Sequence, residues 1–373
     1  MSNSETPFLD FYGQHGIIPT NLEITSKEEF YLIRDRLFET IGIPSSLIKG
    51  CNILEIGPGS GEKTAHLLSK SPKSYTGVEG NPASATAIKK LFSQYKSSIE
   101  FTLDEVNFLD FQSLVKFDFV IAENVVPFQR EPIEFLQKLI GYVRPGGLLI
   151  YNCVDGVSML SESLRRIICR KLKLIDSNLI NSAERIADFF SADLLNLPGM
   201  NRLKTDWATD QMIHPFNGKL ISISESLVSL KNFARFVGSS PNFYTDWRWY
   251  KDRSFLNDDQ NELVIALFNS LQHNLIDTRE ISAGRSVMEN EALNQISSKV
   301  FELSKLNTWD QDFDQQLDHY CKIILQYLPR EQTLTRHALN SFCTFLGTNH
   351  FEHLLAFREW WGRSMQYVSV TRI

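Results

Sequence analysis

The chain has 373 residues, of which 43% are apolar and 22% charged, and its formal net charge is −6. That length predicts about two domains with room for a large core. The negative balance excludes a general electrostatic attraction to nucleic acid or to anionic lipid. Cys51, Cys153, Cys169, Cys321 and Cys343 are odd in number and far apart, with no Cys-x-x-Cys or Cys/His cluster. They give no sign of a disulfide framework or a zinc site, and no metal is expected. The first residues lack the basic and apolar regions of a signal peptide. No apolar run approaches the roughly 18 residues of a membrane span. The expectation is a reduced, cytoplasmic protein with no membrane span.

In chain order, Phe11-Tyr12-Gly13-Gln14-His15-Gly16 mixes aromatic and polar groups with two glycines and reads as a mobile loop. Ser26 with Glu29 forms a capping-box pattern, and Phe30, Ile33 and Leu37 follow at helical spacing. Gly42 and Pro44 close that helix. Residues 1–44 are therefore expected to be an N-terminal helical or lid segment.

The most informative stretch follows, Ile53-Leu54-Glu55-Ile56-Gly57-Pro58-Gly59-Ser60-Gly61. An apolar strand carries an acid and runs into a loop with glycine at every second position. Tyr75-Thr76-Gly77-Val78 then forms a second short strand that ends in Glu79. Strand, glycine turn, helix, strand and acid is the layout of a nucleoside-binding βαβ unit. The glycines let the main chain approach a ligand where a Cβ would collide. Glu79 can accept hydrogen bonds from both ribose hydroxyls. A dinucleotide loop reads G-x-G-x-x-G, whereas this one reads G-x-G-x-G with Glu62 in place of the last glycine. Carboxylates on both sides of the turn would repel a pyrophosphate and suit a ligand bearing an ammonium and a sulfonium.

On these residues the chain resembles the class I S-adenosylmethionine-dependent methyltransferases, whose first motif is an acid followed by G-x-G-x-G. Asp118-Phe119-Val120-Ile121-Ala122-Glu123-Asn124 is similar to the fourth strand of that family. Val143-Arg144-Pro145-Gly146-Gly147-Leu148-Leu149-Ile150-Tyr151 is similar to its turn and fifth strand. The likeness covers about residues 45 to 155. It implies an α/β fold, a doubly wound, seven-stranded Rossmann-like sheet, with S-adenosylmethionine as cofactor. The cofactor residues it implies are Glu55, Gly57, Pro58, Gly59, Gly61, Glu79, Asn107, Phe108 and Glu123. Ile99–Val106 reads as the third strand, after which the family usually has an Asp that meets the adenine amino group. This chain has Asn107 there, whose amide oxygen can still accept one hydrogen bond, and Asp104 is the alternative. N-terminal segments of the family often fold over the cofactor, a role open to Tyr12 or His15.

Residues 45–257 are expected to form the methyltransferase domain, with a cap inserted at about 156–220. In the cap, Leu160, Leu164, Ile167 and Ile168 share a helix face, and a second helix is expected around Ala183–Leu195. Arg165, Arg166, Arg170, Lys171 and Lys173 make the first helix basic, either as a solvated face or as a wall for an anionic substrate group. Two aromatic and polar clusters, Asp206–Phe216 and Ser239–Lys251, have no period of 2 or 3.6. Such mixtures line pockets or fill cores. As pocket linings they nominate Trp207, His214, Asp246 and Trp247, together with Tyr12, as substrate residues. The second cluster is expected to hold the last two strands, beginning near Phe233. Residues 258–373 carry four or five amphipathic helices, a helical domain suited to a homodimer interface or a substrate wall.

Methyl transfer from a sulfonium is an in-line displacement with a neutral leaving group, so alignment supplies much of the rate. A base is needed only when the acceptor must lose a proton. His214 is the first candidate base and Glu123 the second. The family's motifs of amide and base N-methylation and of pyrimidine C5-methylation are absent, and the commonest class that remains in the family is O-methylation of a hydroxyl or carboxyl on a small molecule or a glycan. No nucleic-acid partner is expected. Two rival readings are a non-catalytic scaffold that keeps the fold and, less favoured by the loop spacing, an NAD-dependent oxidoreductase.

Overall fold

The structure is a computed structural model and describes residues 11–13, 18, 22, 24, 26–95, 99–197, 199–216, 218–249, 251–253, 259–306 and 311–373. The chain divides into two compact units. The first comprises residues 1–153, 217–268 and 365–373, and the second residues 154–216 and 269–364.

The first unit is built on one seven-stranded sheet. Its strands are β1 (Asn52–Ile56), β2 (Ser74–Val78), β3 (Glu100–Asp104), β4 (Phe117–Ala122), β5 (Val143–Cys153), β6 (Ala234–Ser240) and β7 (Gln366–Arg372). Their order is β3-β2-β1-β4-β5-β7-β6. β1 to β5 pair in parallel, and β7 runs antiparallel between β5 and β6, with Tyr151 opposite Val368 and Phe236 opposite Val370. This is the doubly wound methyltransferase-type sheet expected from the sequence.

Four helices shape the end of the sheet that matters: α1 (Lys27–Thr40), α2 (Glu62–Ser69), α3 (Pro82–Phe92) and α4 (Pro132–Tyr142). α1 starts where Ser26 accepts from the Glu29 amide. α3 starts at Asn81, whose side chain accepts from Ala83 N, with Pro82 in the first turn where a missing N–H costs nothing. Phe38, Ile41, Ile43, Ile53, Tyr75, Ile121 and Ile150 pack in one cluster between α1, α2 and the sheet.

Three sequence expectations need correcting here. α1 buries Phe30, Arg34 and Phe38, whereas Ile33 of the expected apolar stripe is 60% exposed. The stripe is shifted by one position because Arg34 finds a buried carboxylate partner. Pro145-Gly146-Gly147 does not make a turn before β5 but a bulge within it, between the pairs Phe117–Val143 and Phe119–Leu148. The last strand lies at Gln366–Arg372 and not in the cluster 239–251, which contributes only the end of β6. Val368 and Val370 alternate with the hydroxyl-bearing Tyr367, Ser369 and Thr371, the period-2 sequence pattern of a strand, and Ser369 is buried along with both valines.

The second unit is helical, with long helices at Leu160–Lys171, Leu179–Phe189, Val287–Lys305, Gln311–Tyr327 and Thr333–Thr348. The basic helix is not solvated: Arg165 and Arg166 are both fully buried. Arg165 pairs with Asp193 and lies 3.6 Å over the Trp361 ring, while Arg166 donates to the carbonyls of Gln211 and His214 at 2.8 Å each. Buried guanidinium groups survive because every such charge is paired, stacked or hydrogen-bonded. Trp360 and Trp361 are core residues of this unit, donating to Ile276 O and Asp193 O. Among the described residues, no helix is long and apolar enough to cross a membrane.

Candidate functional site

β1 delivers the chain into the glycine loop, where Gly57, Gly59 and Gly61 have φ of +68°, +62° and +95°. These are left-handed values that side-chain-bearing residues rarely adopt. Gly61 is then the N-cap of α2. The loop borders a pocket lined by Tyr12, Glu55, Gly57, Pro58, Gly59, Lys63, Glu79, Asn81, Ser84, Phe108, Glu123, Asn124, Val125 and Gln129. All of these belong to the first unit, at the carboxyl ends of β1, β2 and β4, where open α/β sheets hold ligands.

Three buried carboxylates surround the pocket, and each is held differently. Glu79, just past β2, accepts from Gly59 N at 3.0 Å on one oxygen and from Asn81 N at 2.8 Å on the other. The Gly80 amide acts on the same carboxylate, which still borders the pocket and can accept from a ligand there. Burial raises its pKa above the ordinary carboxylate value, against the lowering by those amides. Glu55 receives Thr64 Oγ1 at 2.7 Å and Tyr75 OH at 2.6 Å, both on Oε2, so Oε1 receives neither. Its pKa too is raised by burial, less the effect of those two hydroxyls. Glu123, at the end of β4, is gripped by Arg34 through both oxygens and lies 3.0 Å from Lys63 Nζ. Burial alone would raise its pKa, but the two cations override it and bring it to about 2.

The remaining sequence candidates fall in different places. Phe108 lines the pocket and stands against Phe135, with ring centroids 5.2 Å apart. Asn107 turns its Oδ1 to Leu109 N at 2.9 Å, a local cap, and is not among the lining residues. Tyr12 lines the pocket, and His15 lies outside the described residues. Trp207 and His214 belong to the second unit. Trp207 is buried against Phe190 and Trp361, and the fully buried His214 ring packs on Phe216, with burial lowering its pKa to about 4. Asp246 is locked to Arg248 at 2.6 Å and borders a separate cleft with Lys231, Arg235 and Tyr244, while Trp247 is 93% exposed. Of the five substrate candidates, Tyr12 alone is among the residues lining the glycine-loop pocket.

Sequence reading missed Arg34, Lys63, Asn81 and Gln129. Asn81 carried a local signal, a cap residue before Pro82. The other three reach the site through partners remote in sequence or through loop shape.

Residues 54–149 match the family model described as a methyltransferase domain. That span of the chain is a methyltransferase domain. Its cofactor is S-adenosylmethionine, and the pocket fits that molecule: Glu79 presents an amide-oriented carboxylate to a diol, and among the described residues Thr64 and Tyr75 both donate to Oε2 of Glu55 and neither to Oε1. The chain is 31% identical over 124 residues to a tRNA U34 carboxymethyltransferase of Alteromonas mediterranea, a match covering 30% of this chain and 35% of the relative. It thus spans about a third of that curated relative's length. Among solved structures it is similar to the N-methyltransferase NodS from Bradyrhizobium japonicum in complex with S-adenosyl-L-homocysteine, at 18% identity and a TM-score of 0.32, covering 39% of this chain and 74% of that one. It is similar too to an S-adenosylmethionine-dependent methyltransferase from Clostridium acetobutylicum, at 17% identity and a TM-score of 0.30, covering 42% and 60%.

Proposed function

We propose that this chain is a cytoplasmic enzyme that transfers the methyl group of S-adenosylmethionine to an oxygen of a small-molecule or saccharide acceptor. The observation that carries the reading is Glu79, a carboxylate oriented by backbone amides on both oxygens at the pocket wall, where a ribose diol can donate to it. In this reading Gly57, Pro58 and Gly59 admit the ligand against bare backbone, and Phe108 offers a face to the adenine. Tyr12 covers the pocket, and Glu55 Oε1 meets the ammonium of the methionine part. The leaving thioether is neutral, so the domain's task is to align acceptor and methyl group.

The state of Glu123 bears on the acceptor. A general base works best with a pKa near the operating pH, and the two cations hold Glu123 far below it. No histidine is among the residues lining the pocket. A carboxylate acceptor is already ionised at neutral pH and needs no base, so within the oxygen acceptors this favours a carboxyl over a hydroxyl.

Calorimetric titration with S-adenosylhomocysteine and with NAD tests the cofactor part; heat with the first and none with the second is expected. Incubation with methyl-labelled S-adenosylmethionine, offering carboxylic acids, saccharides and tRNA in separate reactions, tests the acceptor. Label in tRNA alone would overturn the acceptor proposal. NAD binding in place of S-adenosylhomocysteine would overturn the whole reading.

A further inference from the structure

Charge around the glycine-loop pocket is unevenly shared. Among the described residues lining it, Glu55, Glu79 and Glu123 are the carboxylates and Lys63 is the one cation. Glu123 would be satisfied without Lys63, because Arg34 grips both of its oxygens in the fork geometry that suits a carboxylate. Arg34 is 4% exposed and is not among the lining residues. Lys63 is, and its side chain keeps 21% exposure. Its ammonium has three N–H donors, and the contact with Glu123 at 3.0 Å occupies one.

Two cations share Glu123, with Glu55 within electrostatic reach of both, and of the two cations Lys63 is the one that lines the pocket. Lys63 also sits in the first turn of α2, whose N-cap is a glycine with no side-chain hydrogen bond. The helix end adds to the positive potential there. Burial alone would lower the Lys63 pKa, but Tyr367 and Glu123 raise it, so the ammonium stays charged at the pocket wall and can meet an anion there. The methyl donor has one anionic group, the carboxylate of its methionine part.

We propose that Lys63 receives the α-carboxylate of S-adenosylmethionine, with Glu123, clamped by Arg34, holding the Lys63 side chain in position. The inference rests on the cofactor reading above and assigns one end of the ligand to a residue of this chain. The pocket then selects for the intact amino-acid moiety: the carboxylate goes to Lys63, the ammonium to Glu55 and the ribose to Glu79. A nucleoside that lacks the carboxylate loses a charge-assisted contact.

The test is calorimetric titration of wild type, Lys63→Met and Lys63→Arg with S-adenosylmethionine and with decarboxylated S-adenosylmethionine. Wild type should prefer the carboxylated ligand by about tenfold or more, the range of a hydrogen bond to a charged group. Lys63→Met should bind both ligands equally, and Lys63→Arg should keep a preference. Should the methionine variant not fold, Lys63→Gln takes its place with the same expectation. Equal binding of both ligands by wild type would overturn the inference. So would a neutral variant that retains the preference or weakens both ligands alike. Wild type that binds neither ligand would instead overturn the cofactor reading itself.

Discussion

Glu79→Ala gives the sharpest test of the site. In the wild type the two oxygens accept the amides of Gly59 and Asn81, with Gly80 also acting on the carboxylate, and the cofactor reading has both ribose hydroxyls donate to it as well. Two hydrogen bonds to a charged group are worth about 1.5–3 kcal/mol each. Water entering the truncated pocket recovers part of that, so a loss of at least about tenfold in affinity for S-adenosylhomocysteine is expected. Truncation also strips the Gly59 amide of its acceptor and loosens a loop that depends on its left-handed φ of +62°. Glu79→Gln separates the two effects. An amide retains one acceptor oxygen but presents its NH2 to one of the two backbone donors, so the loop is half held and the ribose half bound. Affinity should fall in the order wild type, Gln, Ala when read by calorimetry, with far-ultraviolet circular dichroism to confirm folding. A folded Glu79→Ala protein that binds S-adenosylhomocysteine as tightly as wild type would refute the site.

Gly59→Val forces a β-branched residue into a left-handed conformation beside the ligand, and no heat with S-adenosylhomocysteine is expected; an unaffected titration would defeat the glycine-loop reading. Arg34→Met leaves the buried Glu123 with Lys63 as its one cation, which should cost about 3 kcal/mol in urea unfolding, and an unchanged midpoint would show that the pair is dispensable. The raised pKa values of Glu55 and Glu79 predict that cofactor affinity begins to fall on acidification before an ordinary carboxylate would protonate, because the ligand needs both groups ionised; a dissociation constant flat through that window would count against it. His66 is fully buried and hydrogen-bonded to Asp35 at 2.8 Å, and burial lowers its pKa from 6.5 to about 4. The unfolded imidazole protonates first, so stability should be whole above the unfolded value and lost as pH falls towards the folded one, by up to about 3 kcal/mol. His66→Gln should flatten that slope in denaturant melts taken across the window.

The parts of the site that were legible in the sequence are those set by local spacing. A left-handed turn demands glycine wherever it occurs, and an acid at a strand end lies at the ligand-binding edge of the sheet, so Glu55, the glycines and Glu79 could be read from their neighbours. Arg34 could not. A charge inside a helical repeat looks like a solvated position, and its burial depends on Glu123, 89 residues away. The same reasoning hid Arg165 and Arg166, which turn inward because Asp193 and the carbonyls of Gln211 and His214 await them. The Asp206–Phe216 and Ser239–Lys251 clusters have the composition of a pocket wall, but aromatics beside polar groups also fill cores and decorate loops. The first cluster supplies the buried Trp207 and His214, and the second the exposed Trp247. β7 was overlooked because its alternation is only seven residues long and follows directly on a run of aromatic and basic residues.

The antiparallel insertion of β7 has a consequence for how the molecule comes into being. During synthesis β5 and β6 leave the ribosome long before Gln366–Arg372, the strand that must lie between them. Until then β5 has an open edge and β6 has no partner in the sheet, the kind of unpaired edge that invites association with other chains. Both segments of the second unit, 154–216 and 269–364, emerge in that interval. The helical unit has its whole sequence available before the sheet can be closed. Before Gln366–Arg372 is made, the sheet can hold at most its parallel strands β1 to β5, and the mixed seven-stranded form waits for β7.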